Sequence, residues 1–366
     1  MYNRKNTRTV WAGSLPIGGG HPVSVQSMTN TNTADAEATV KQIHALEEAG
    51  CELVRVAVPD KEAAAALPDI KKRISIPLAA DIHYDWRLAL MALDAGVDKL
   101  RLNPGNIGSQ ERIAEVVKKA AGLKVPIRIG VNGGSLEKRF LGHGVDLAEA
   151  MAESALDHIR ILEGLEFCDI IVSMKASNVP ATIRAHEILA AKVKYPMHIG
   201  ITEAGTAFSG GIKSAAGIGA LLSRGIGDTI RVSLSGDPVE EIRHGREILK
   251  AMELRRFGPE IISCPTCGRT SIDIAGLAER IEKAVAHMKC CMRISVMGCS
   301  VNGPGEAAHS DIGVTGGDGK AAIYRKGELI KTVSEAEVFG AVMEEITGGA
   351  GVPPADMNGL EYNGIL

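Results

Sequence analysis

Aromatic residues are scarce in this chain. Five Phe, five Tyr and two Trp among 366 residues amount to 3%. The core must therefore be built from Ala, Val, Ile and Leu, which fit an apolar share of 45%. Charge of one sign is also missing: 41 basic against 44 acidic residues leave a net charge of −3. That balance gives no global reason to expect nucleic acid or a membrane surface as a partner. No apolar run is long enough to span a bilayer. The opening residues, Met1 to Arg8, hold no apolar stretch of the kind an export leader needs. Seven cysteines at irregular spacing do not make a disulfide framework. A reducing cytoplasm is the expected setting.

What the chain does have is concentrated in its last third. Cys264-Pro-Thr-Cys267 is a spacing that lets two thiolates grip one centre. Further on, Cys299-Ser-Val-Asn-Gly-Pro-Gly-Glu306 sets a lone thiolate in a Gly/Pro-rich loop with a carboxylate seven residues away. Soft thiolates suit iron–sulfur clusters or zinc. A structural zinc site would want a fourth Cys or His, which Cys290 or Cys291 could supply. A carboxylate in the fourth place instead points to a ligand that can leave, and so to a centre that does chemistry. The glycines and proline around Cys299 let the backbone wrap something bulky.

From about residue 20 to 250, short apolar runs alternate with helical stretches. The runs are 23–27, 53–57, 77–81, 99–103, 126–131, 169–174, 197–201 and 229–234. The segments between them carry apolar residues at helical spacing, and several close with Gly, as at Gly50 and Gly96. Eight βα units predict a (β/α)8 TIM-type barrel over 1–253, with a doubly wound open sheet as the alternative. A linker is expected at 254–260, a smaller α+β domain at 261–347 and a mobile tail at 348–366.

Most barrel strands carry a polar residue in or just after the run. These are Arg55, Asp81, Arg101, Asn103, Arg128, Asn132, Lys175, His198, Arg231 and Ser233. Internal salt bridges, for instance Arg55 with Asp81, are the simplest reading of any one of them. They do not account for all ten, because the acids are too few. Strand C-termini converge on the active site of such barrels. Several Arg and Lys there predict a site for a polyanion such as phosphate. The Gly-rich stretch 203–213 and the Asp237-Pro238 helix start are consistent with phosphate at a helix N-terminus.

Seven motifs together carry a resemblance. Val25-Gln-Ser-Met-Thr-Asn-Thr31, Ala80-Asp-Ile-His-Tyr-Asp85, Arg101-Leu-Asn-Pro-Gly-Asn-Ile-Gly108, Gly130-Val-Asn-Gly-Gly-Ser-Leu-Glu137 and Gly200-Ile-Thr-Glu-Ala-Gly205 lie in the barrel region. Cys264-Pro-Thr-Cys267 and Gly298 to Glu306 follow. In this order, across nearly the whole chain, they resemble the 4-hydroxy-3-methylbut-2-enyl diphosphate synthases of the non-mevalonate isoprenoid pathway, in their short two-domain bacterial form. The resemblance implies reductive opening and dehydroxylation of 2-C-methyl-D-erythritol 2,4-cyclodiphosphate. It implies a 4Fe–4S cluster on Cys264, Cys267 and Cys299 with Glu306 on the fourth iron, in a domain resembling sulfite and nitrite reductase units. It also implies flavodoxin or ferredoxin as electron donor, and a homodimer with a cross-subunit active site. Two other readings of the bare residues are a zinc-bearing phosphosugar lyase using Lys175 as a Schiff base and a non-catalytic iron–sulfur redox sensor.

Overall fold

The computed structural model describes residues 3–140, 144–286 and 288–348. The expected mobile tail falls outside the described residues from 349 onward. The chain forms two compact units that divide between Arg255 and Arg256. No helix among the described residues is long and apolar enough to cross a membrane.

The first unit opens with a short antiparallel hairpin, β1 (Val10–Ala12) and β2 (Leu15–Ile17). Eight parallel strands follow: β3 (Ser24–Met28), β4 (Leu53–Ala57), β5 (Leu78–Asp81), β6 (Lys99–Arg101), β7 (Ile127–Asn132), β8 (Ile170–Lys175), β9 (His198–Ile199) and β10 (Thr229–Ile230). Sequence neighbours pair from β3 to β8, β9 pairs with β10, and β10 pairs back onto β3. A bridge from Val172 to Met197 joins β8 to the approach of β9 and completes the ring. The eight-unit barrel expected from the apolar runs is the observed fold.

Eight helices cover the outside, one after each barrel strand: α1 (Ala36–Glu48), α2 (Lys61–Arg73), α3 (Trp86–Asp94), α4 (Gln110–Leu123), α5 (Leu147–Glu163), α6 (Val179–Ala190), α7 (Ala207–Ser223) and α8 (Pro238–Ala251). Asp35, Asp60, Asp85, Asp146, Asn178 and Asp237 cap six of them by accepting a first-turn N–H.

The hairpin was not foreseen from the sequence, where nothing before residue 20 was assigned. Its Val10, Ala12 and Ile17 pack against Leu53, Ala79 and Ile171, near the starts of β4, β5 and β8. This apolar plug closes the end of the barrel at which the strands begin.

The second unit holds a five-stranded sheet: β11 (Glu260–Ser263), β12 (Arg293–Met297), β13 (Ile312–Gly317), β14 (Lys320–Arg325) and β15 (Glu328–Ser334). β11, β12 and β13 are parallel, whereas β14 and β15 add antiparallel. Asp318 and Gly319, at φ 50° and 72°, make the tight turn between β13 and β14. Helices α9 (Ile274–Val285) and α11 (Glu335–Gly348) bury Ile281, Val285, Val338 and Val342 against Ile294, Val296, Val314 and Ile323.

Two local expectations need correction. Glu260 already belongs to β11, paired with Arg293, and is not part of a linker. The loop after Cys299 turns helical at α10 (Gly303–Ala308), because Pro304 is preset for a first helical turn.

Candidate active site

The cations read from the sequence share one end of the barrel interior. Period-2 alternation puts Arg55 on the inward face of β4, Arg101 on β6, Arg128 on β7 and Lys175 on β8. Arg101 and Arg128 are opposite each other in the β6–β7 register. Arg231 follows the last residue of β10, and His198 opens β9. Arg128, Lys175 and His198 are buried, and Arg231 is partly so. Arg55, Arg101, Lys175, His198 and Arg231 all lie close enough to Arg128 to share its field.

Specific contacts hold the cluster. Arg101 Nη1 reaches Asp81 Oδ1 at 3.1 Å and Nη2 donates to the Gly130 carbonyl at 2.9 Å. Gly130 is required there, since a Cβ would stand 2.5 Å from Arg101 Nε. Arg55 Nε lies 3.5 Å from Asp81 Oδ2. Lys175 Nζ and His198 Nε2 are 3.2 Å apart. Gly200 makes room for that lysine, because a Cβ would fall 2.9 Å from its Nζ. Asn103 turns out to be engaged by the backbone: its amide donates to the Gly130 carbonyl at 2.9 Å and accepts from the Gly130 N–H at 2.8 Å. Asn132 sits opposite Lys175 at the ends of β7 and β8. Ser233 is half-buried beyond β10.

Two participants were missed. Lys99 shares a strand face with Arg101, is fully buried and donates to Gln26 Oε1 at 2.9 Å. Strict alternation along 99–103 would have found it. Glu241 on α8 accepts from both Arg231 Nε and Nη2 at 3.1 Å. Its signal was a carboxylate on the buried stripe of a helix, beside Ile242 and Gly245.

Charge is unbalanced inside the barrel. Arg55, Lys99, Arg101, Arg128, Lys175 and Arg231 are six bases, and among the described residues Asp81 and Glu241 are the two acids that pair with any of them. Internal ion pairs therefore exist but leave a surplus. Burial pushes the affinity of Lys175 for its proton well below that of an ordinary lysine, and Arg128, Arg231 and Arg55 push further. Burial and the Lys175 charge do the same to His198. Asp81 goes the other way: burial opposes its ionisation, but Arg55, Arg101 and Arg128 outweigh burial and lower its pKa. Arg101 Nε, Arg128 Nε and His198 Nδ1 are buried without a hydrogen-bond partner. Such donors are costly unless an acceptor arrives. A multiply charged oxyanion supplies acceptors and countercharge together.

In the second unit Cys264 and Cys299 follow adjacent parallel strands. Cys264 directly follows β11, and Cys299 lies two residues beyond β12. The Gly298 N–H points at Cys264 Sγ at 3.1 Å. The Val301 and Asn302 N–H groups, with Arg269, lower the Cys299 pKa. Thr270 pins the other thiol's loop, accepting from the Cys267 N–H at 3.1 Å. Cys267 is exposed, as is Glu306 in the first turn of α10. Backbone N–H groups aimed at sulfur favour thiolates, the form that binds iron. Among the described residues no three His, Cys, Asp or Glu side chains converge as a single ion would require. A zinc ion would need its sulfurs roughly 4 Å apart. In a cluster each thiolate takes its own iron, so the ligands stand further apart. The donor set fits a cluster.

Comparison with known proteins agrees along the chain. Residues 7–246 match the GcpE TIM-barrel domain and residues 260–348 the GcpE protein C-terminal domain. The 4-hydroxy-3-methylbut-2-en-1-yl diphosphate synthase (flavodoxin) of Geobacillus thermodenitrificans is 56% identical, over 94% of this chain and 93% of its own length. The proteins of the same name from Caldanaerobacter subterraneus and Geobacter sulfurreducens are each 55% identical over 94% of this chain, and 97% and 98% of theirs.

Proposed function

Because the chain belongs to the GcpE family, we propose that its two units serve one reductive reaction, the barrel holding a cyclic diphosphate and the smaller unit an iron–sulfur centre. It forms 4-hydroxy-3-methylbut-2-en-1-yl diphosphate and draws its electrons from flavodoxin, as its relatives' name states, and its substrate is 2-C-methyl-D-erythritol 2,4-cyclodiphosphate, as the resemblance of its motifs implies. The observation that carries this reading is the surplus of buried and partly buried bases over the two acids inside the barrel. A dianionic ligand relieves it and a neutral one does not.

Arg55, Arg101, Arg128, Lys175 and Arg231 bind the diphosphate, with His198, Asn132 and Ser233 turned to its remaining oxygens. Asp81 keeps Arg55 and Arg101 aimed inward. Asn103 acts through β7, fixing the backbone beside which Arg101 lies. Fixing the diphosphate also fixes the ring carbon whose C–O bond breaks.

Cys264, Cys267 and Cys299, with Glu306, would hold a 4Fe–4S cluster that supplies electrons singly and a Lewis-acidic iron. Glu306 is exposed at the start of α10, where its carboxyl oxygen can take a proton from water and give it to the departing hydroxyl. Reduced thiols and a flavodoxin donor fit a cytoplasmic enzyme.

We also assign the protein to a homodimer in which each cluster-bearing unit serves the partner's barrel. The support is where the chain leaves the barrel. Arg255 Nη1 donates to the Val23 carbonyl at 2.9 Å and to Glu52 at 3.2 Å, at the end where β3 and β4 begin. The bound diphosphate lies at the other end.

Equilibrium binding of the cyclodiphosphate tests the barrel site. Arg128→Met removes a charge-assisted contact and should weaken binding by at least tenfold, about 1.5–3 kcal/mol, with iron content unchanged. Unaltered affinity would remove the barrel from the reading.

A further inference from the structure

Beneath the cations named for the diphosphate lies a further base. Lys99 precedes Arg101 by two residues on the same face of β6, roughly 7 Å deeper in the barrel. It is fully buried, and its amine donates to Gln26 Oε1 on β3 at 2.9 Å. The charged groups that act on it are Arg128 of β7, Arg55 of β4 and the buried Cys51 thiol. His198 of β9 lies near enough to feel it in turn. Ala79 of β5 faces it in register. Lys175 of β8 and Arg231 of β10 add positive charge to the same interior. The two acids nearby are already occupied. Asp81 pairs with Arg55 and Arg101. Glu241 pairs with Arg231 and accepts from the Ser27 hydroxyl and the Leu234 N–H.

Arginine keeps its charge under all ordinary conditions, so the guanidiniums cannot relieve this crowding. Lysine and histidine can, by releasing protons. When a dianion settles on the arginines, the positive potential at Lys99 falls and so does the cost of charging it. We propose that Lys99 is a proton-accepting residue of the substrate site: an amine in the free enzyme, it takes a proton from solvent as the diphosphate binds, and its ammonium then strengthens the hold on the anion. This rests on the diphosphate-binding reading above. It adds a residue that acts from below the contacts, and a reason for affinity to depend on pH.

The ligand makes the test clean. Each phosphorus of a cyclic diphosphate bears one strongly acidic hydroxyl, so the ligand does not titrate near neutrality, and any proton taken up belongs to the protein. Cluster-loaded, oxidised protein with no electron donor binds the cyclodiphosphate without turning it over. Calorimetry at one pH in two buffers of different ionisation enthalpy then counts protons. Uptake of about one proton per site is expected, with Kd rising about tenfold per pH unit across the interval of uptake. Lys99→Met and Lys99→Gln should still bind, take up close to no proton and show a flat pH dependence. Wild-type binding without proton exchange, or with a pH-independent Kd, overturns the proposal even if neither variant folds. Uptake that persists in both variants and disappears in His198→Gln assigns the proton to the Lys175–His198 pair and also overturns it. Wild-type protein that does not bind the cyclodiphosphate contradicts the diphosphate reading itself.

Discussion

Arg231 and Glu241 meet at two points, Nε to Oε2 and Nη2 to Oε1, both at 3.1 Å. A strand end and the first turn of an outer helix are thereby joined across the wall of the barrel. Glu241 also accepts from Ser27 Oγ at 2.8 Å and the Leu234 N–H at 3.1 Å. The carboxylate therefore sets the position of a base that the sequence alone assigned to the ligand.

Removing that carboxylate leaves a poorly solvated guanidinium among other cations. Glu241→Ala should lower stability by about 3 kcal/mol, the usual scale for breaking a buried pair, measured by urea unfolding. The double variant Glu241→Ala/Arg231→Met should recover part of the loss, since it removes the stranded charge. If the double variant is no more stable than Glu241→Ala, the pair does not carry the coupling described.

Acid sensitivity should come partly from His186. It is buried on α6, with Nδ1 bonded to the Thr182 carbonyl at 2.8 Å and Nε2 without a partner. Burial pushes its pKa down to about 4. The unfolded chain, with a histidine pKa near 6.5, then binds more protons than the folded one below that pH. The stability this neutral histidine provides is complete above pH ~6.5 and is lost as pH falls toward 4, by about 3 kcal/mol. His186→Gln should flatten that interval in a pH series of urea midpoints. An unchanged slope would mean that His186 titrates normally.

Much of this was legible from the residues. The eight apolar runs carried the barrel because a parallel sheet covered on both faces reads as continuous apolar sequence. The charged residues breaking those runs marked the site, because a charge is tolerated on an inward strand face only with a partner or a ligand. Partners from outside the strands were harder to read. Glu241 enters from a helix, and its carboxylate looked like ordinary first-turn charge. Asn103 has the composition of a binding residue, yet its amide is consumed by the Gly130 backbone. The plug made by Val10, Ala12 and Ile17 was invisible because strands of three residues leave almost no periodic signal. The helical turn bearing Glu306 was hidden by glycines that read as a loop.

Subunit exchange tests the shared site. Cys299→Ser and Arg101→Ala chains should each be inactive. Mixed and allowed to exchange, they should recover activity, because one of the two sites in a mixed dimer combines an intact barrel with an intact cluster-bearing unit. Inactivity after demonstrated exchange would show that each chain completes its own site.

Glu306 and the cysteines should separate by what they lose. Glu306→Gln should retain most iron and lose turnover, since three thiolates still hold the cluster while the replaceable ligand and its proton are gone. Equal iron loss in Glu306→Gln and Cys299→Ser would make the glutamate a holding ligand.

The most direct measurement is iron content together with turnover on anaerobically purified protein. The account predicts about four irons per chain and reduction of the cyclodiphosphate when reduced flavodoxin is supplied. Ser at Cys264, Cys267 or Cys299 should abolish both, whereas Ser at Cys51, Cys168, Cys290 or Cys291 should spare them. Stoichiometric zinc in place of iron, or full iron content in Cys299→Ser protein, would contradict it.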